Sequence, residues 1–147
     1  MNYEERAKSW YDSALKENDD FIKFLLLYIS LDVCVKSEFK HILNVKQNNK
    51  IKSDFYKKIN PESIAELKRE LDKDPHKNEN PSGNDHWSGK LKSTDDFVGI
   101  IEFLVRARNN LFHGDKGLDV KRDQFIVKYG TMILQPLVEI FLTRKNN

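Results

Sequence analysis

Apolar residues recur at intervals of three and four along most of this chain, the spacing of helices that bury one face. Tyr3, Ala7, Trp10 and Ala14 predict a first amphipathic helix over 3–17, with Trp10 and Tyr11 at its core or rim. Asn18-Asp19-Asp20 supplies a break and a cap. Phe21, Phe24, Leu25, Tyr28, Leu31, Val35, Phe39 and Ile42 then predict a second helix over 21–43, roughly 35 Å long and a central member of a bundle. Asn60-Pro61-Glu62 reads as cap, first-turn proline and favourable acid, opening a short helix to about 72. Ser93-Thr94-Asp95-Asp96 starts a helix that runs to His113 and buries Phe97, Ile100, Ile101, Leu104, Leu111 and Phe112. A last helix from about Asp119 carries Phe125, Tyr129, Met132, Ile133, Leu137, Ile140 and Phe141 at core spacing, and Pro136 is expected to kink it.

The connecting segments differ in character. Between 36 and 58, seven lysines against Glu38 and Asp54 leave a local charge of +5, with Phe55 and Tyr56 interspersed. Such a run is either a phosphate-tracking surface with stacking positions or a solvated loop and helix face. From 73 to 93, Pro75, Pro81, Gly83 and Gly89 among polar residues describe a long loop, expected to border a cleft and contribute to substrate choice. His76, His86 and Asp85 in that loop follow no metal-site spacing. Asp32 in the second helix either pairs with Lys36 one turn later or reaches across the bundle to orient Arg106 or Arg108. His41 is read as a surface residue.

Composition narrows the class. A chain of 147 residues is one domain, 1–147, able to bury a core, and 39% hydrophobic with 33% charged residues suits helices with one wet face. A net charge of +2 does not by itself argue for nucleic acid. The single cysteine, Cys34, lies in an apolar run and excludes an internal disulfide. The polar, acidic start carries no signal-peptide pattern, so a cytoplasmic location is expected. Nor is a membrane span expected, because Lys23 and Asp32 break the apolar run before it reaches about 18 residues. No cofactor motif is present.

Chemistry concentrates in Arg106-Ala-Arg108-Asn109-Asn110-Leu-Phe-His113-Gly114. Positions 101, 104, 108 and 111 form one stripe, placing Arg108 on the apolar face, where it needs an anionic or carbonyl partner or a cleft. Arg106 either adds a phosphate contact or is a surface arginine. Gly114 is suited to a left-handed cap and Asp115-Lys116-Gly117 to a tight turn, so the last helical turn can loosen at His113. Exposed carbonyls at the helix end favour the imidazolium while Arg108 opposes it, which keeps His113 titrating near neutral pH.

The run from Arg108 to His113, an arginine, a polar residue and, after four intervening residues, a histidine at the end of a long helix, resembles the signature of HEPN domains. The resemblance implies an all-α, HEPN-like bundle of four main helices plus a short extra one, with the long loop before the motif helix. It also implies a homodimer without cofactor or metal, and in many members a metal-independent endoribonuclease of toxin or defence systems. RNA brings its own nucleophile, the 2′-hydroxyl. Imidazole can remove its proton, and guanidinium can hold the phosphate through two parallel hydrogen bonds. Arg108, Asn109 and His113 are thus the catalytic candidates, with Arg106, Asn110 and Lys116 as substrate contacts and Leu111 and Phe112 as core or dimer interface. One chain offers one such histidine, so a twofold dimer would supply the second. The alternatives are a non-catalytic RNA- or nucleotide-binding domain and a dimeric protein-interaction module, a partner of a nucleotidyltransferase-like antitoxin.

Overall fold

Short polar side chains fix five helix starts. Oxygens of Asn2, Asp19, Asn48, Asn60 and Asp96 each accept a hydrogen bond from a backbone N–H in the first turn that follows. In the computed structural model, which describes residues 2–78, 86–112 and 121–144, they open α1 (Tyr3–Lys16), α2 (Asp20–Val35), α3 (Asn49–Lys58), α4 (Pro61–Lys73) and α5 (Phe97–Leu111). A 3₁₀ helix, Ile42–Gln47, joins α2 to α3, and α6 spans Lys121–Thr143. The described residues are all-helical, without a strand. Where four main helices and one short one were expected, the described residues form six α-helices and a 3₁₀ helix.

Much of that difference arises after Val35. The second helix ends there, 16 residues long, instead of running to 43. The backbone N–H groups of Phe39 and Lys40 both donate to the Val35 carbonyl, and Lys40 takes a left-handed conformation, φ 67°. The turn lets Phe39 pack edge-on against Phe141 of α6, ring centroids 5.9 Å apart, and delivers Ile42 and Val45 to the core from a separate element. Helical spacing of apolar residues therefore persists across a break in the helix. Of the seven lysines of the run from 36 to 58, Lys50, Lys52, Lys57 and Lys58 lie on α3. The run also carries two aromatic residues on that helix. Its Phe55 is fully buried and Tyr56 packs on Phe55 and Phe97, so neither is a free stacking platform.

α6 is the central post, packed against α2, α5 and α3, while α1 lies along α2. Its Gly130 faces Phe24 so closely that an added Cβ would stand 2.5 Å from the ring, which is how the two helices approach. The Tyr129 hydroxyl donates to Glu66 on α4 at 2.9 Å, and burial with that carboxylate pushes the phenol up to about 12. Among the described residues α6 is the one helix long and apolar enough to cross a membrane, although 56% of its apolar window is buried inside the fold. The apolar limit is thus met by the last helix, not by the stretch around Lys23 and Asp32.

Candidate functional site

α5 is buried round most of its circumference: of its 15 residues, Phe97, Gly99, Ile100, Ile101, Phe103, Leu104, Arg106, Ala107, Asn110 and Leu111 are inside. α6 covers one side, and the 3₁₀ helix lies on another. The two flanks of the long loop close over a third, because Arg106 and Asn110 both donate to loop carbonyls.

This arrangement exchanges the expected places of the two arginines. Arg106 is 4% exposed. Its Nη1 donates to the His76 carbonyl at 2.6 Å and its Nη2 to the Trp87 carbonyl at 2.7 Å, while the guanidinium lies 4.8 Å from the Trp87 ring centroid. One planar fork thus ties the segment at His76 to the segment at Trp87. The His76 N–H donates to Gly89 O at 3.0 Å, and Gly89 holds φ 84° where a Cβ would meet the His76 backbone at 2.8 Å. Asn110 adds a bond from Nδ2 to Lys77 O at 2.9 Å. Arg106 and Asn110, expected to contact substrate, are therefore engaged in fastening the loop. His76, expected in a loop without a core pattern, is buried against Phe103.

Arg108 is exposed, not inside the stripe of Ile and Leu. Its guanidinium sits 5.8 Å from the Tyr28 ring centroid and 4.6 Å from that of Phe112, and Nη1 donates to Asn109 Oδ1 at 3.2 Å. No carboxylate among the described residues pairs with it. Asp32, one candidate to orient it, pairs instead with Lys36 at 3.7 Å. Phe112, expected in the core or an interface, is 50% exposed and forms one wall of the arginine's seat. Tyr28, buried at the base, has its phenol pushed up to about 12 by burial, with Arg108 pulling it down and Asp32 pushing it up. The result is an exposed cation steadied by two aromatic faces, with an amide at its side and its N–H fork largely unsatisfied.

The described part of α5 ends at Leu111. His113, Gly114 and Lys116, and with them the expected turn and the start at Asp119, lie outside the described residues. Among the described residues no three His, Cys, Asp or Glu side chains gather where they could hold a metal ion. His41 is exposed and its Nδ1 accepts from the Leu43 N–H at 3.0 Å, closing the start of the 3₁₀ helix. Burial pushes the Cys34 thiol up to about 12, which keeps it protonated and unreactive at neutral pH.

The sequence reading missed Tyr28 and Phe112 as the frame of Arg108. Their spacing to the arginine carried the signal only for Phe112, four residues on; Tyr28 comes from another helix. Comparison with protein-family models, with curated proteins and with solved structures finds no match for this chain.

Proposed function

We propose that this chain is a HEPN-type, metal-independent endoribonuclease that acts as a homodimer in the cytoplasm, within a toxin or defence system. The observation that carries the reading is Arg108: exposed, stacked on Tyr28 and Phe112, without a carboxylate partner among the described residues, and beside Asn109 at 3.2 Å. A structural arginine is normally occupied, as Arg106 is. An arginine held in place with its donors open is prepared for an oxyanion.

In the reaction, His113 removes the proton from a 2′-hydroxyl, and the resulting oxygen attacks the adjacent phosphorus. Arg108 holds the non-bridging oxygens as charge builds on them, and Asn109 fixes the guanidinium or the phosphate. The partner's His113 gives its proton to the departing 5′-oxygen. The P–O5′ bond breaks, leaving a 2′,3′-cyclic phosphate and a 5′-hydroxyl, with no metal or oxidant needed. Lys116 is a further phosphate contact in this reading, and a nucleotidyltransferase-like antitoxin is the protein partner it brings with it.

The test is cleavage of a single-stranded RNA by purified protein in EDTA, with the ends of the fragments identified. Cyclic-phosphate ends are expected, and Arg108→Ala and His113→Ala should each lower the rate by at least about 10²-fold with the dimer intact. RNA binding without any cutting would replace the enzyme with a binding domain. Loss of the dimer or of the fold in both variants would reduce the motif to a structural staple.

A further inference from the structure

The outward strip of α5 that the core leaves uncovered, Val98, Glu102, Val105 and Asn109, forms the floor of a groove of about 800 Å³. Its walls come from the 3₁₀ helix, through Lys46, and from the described loop flank, through Trp87, Lys90 and Lys92. The groove ends at Asn109, whose Oδ1 accepts from Arg108. The groove is therefore linked to the exposed guanidinium through the Asn109 amide.

Its charges are unevenly occupied. Lys46 is bound to Glu102 at 3.1 Å, so those two cancel. Asp96 is held as the cap of α5, accepting from the N–H groups of Gly99 and Lys92. The ammonium groups of Lys90 and Lys92 are exposed and have no carboxylate partner among the described residues. The imidazole of His86 is exposed on the same wall. Two unpaired cations, an indole and a terminal amide along a channel are the features of a surface that tracks a sugar-phosphate backbone. The flank carrying both lysines is fastened by the Arg106 fork at Trp87 O, so their positions are referenced to the core.

We infer that this groove binds the single-stranded RNA flanking the scissile bond, with Lys90 and Lys92 contacting successive phosphates while Arg108 takes the reacting one. The inference rests on the nuclease reading for its direction toward Arg108, but binding in the groove is separable from cutting.

A fluorescent 12-nucleotide 2′-O-methyl oligouridylate, which lacks the nucleophile and cannot be cut, measures binding alone by anisotropy. Replacing both lysines, Lys90→Gln with Lys92→Gln, is expected to weaken binding roughly 20-fold at 0.1 M salt and to lower the salt slope by about 1.4. The charge-matched pair Lys8→Gln with Lys16→Gln, on α1, should leave both unchanged. Equal effects from the two pairs, no effect from either, or no binding by the unaltered protein would overturn the inference. Cleavage of unmodified RNA is scored separately. If the unaltered protein binds through Lys90 and Lys92 yet never cuts, the nuclease reading fails and the groove stands. If it cuts and the Lys90/Lys92 pair alters neither binding nor kcat/KM, the groove fails and the nuclease reading stands.

Discussion

Arg106 and Arg108 sit two residues apart on one helix and have opposite fates. Arg106 is inside, its fork closed on the His76 and Trp87 carbonyls. Arg108 is outside, leaning on Tyr28 and Phe112 with its fork open. Two helical positions differ by about 200° in direction, so what covers each side of α5 decides the role of each arginine. The same side chain serves as a fastener where carbonyls surround it and as a candidate anion holder where aromatic faces do.

The sharpest way to break this comparison is to remove each guanidinium in turn. Arg106→Met should destabilise the fold by about 3 kcal/mol, because one buried and one half-buried carbonyl lose charged donors together. Urea denaturation would show this as a lower midpoint at unchanged slope. Arg108→Met should cost less than about 1 kcal/mol in the same measurement, since only exposed stacking is lost. Equal losses would mean that the two arginines do not differ in kind. The smallest effect near neutrality concerns the base of the Arg108 seat. Folding raises the Tyr28 phenol from 10.0 to about 12. The stabilisation is therefore complete below pH 10 and is lost as pH climbs toward 12. Tyr28→Phe should make that alkaline limb shallower, Tyr129 and Cys34 still contributing to it, in a pH-dependent melting series while leaving the melting temperature at pH 7 nearly unchanged.

How much of this was legible in the sequence varied with how local the cause was. Caps such as Asp19 and Asn60 act within three residues, and α2 and α4 begin where their polar side chains predict, whereas α5 begins only after Asp96, the last residue of its expected start. The end of α2 was not legible, because the turn after Val35 contains no glycine or proline and the apolar rhythm continues through Phe39 and Ile42. The apolar face of α5 was legible in Phe97, Ile100, Ile101, Leu104 and Leu111, but the places of Arg106, Arg108 and Phe112 were not, for a related reason. Apolar spacing locates the side packed on other helices, but the side closed by a polar loop has no periodic mark. The hint was compositional: Trp87 and His76 are aromatic residues in a segment otherwise rich in Asn, Lys and Ser. Arg108 and Asn109, neighbours in sequence, are hydrogen-bonded at the end of α5.

The burial of 10 of the 15 residues of α5 has a mechanical consequence. A helix gripped on three sides can neither roll nor slide without opening the interior, so the guanidinium at its end is anchored like a peg in a wall. On the proposed nuclease reading, an RNA strand that meets it must do the bending, which would make supple, unpaired RNA a better guest than a stiff duplex.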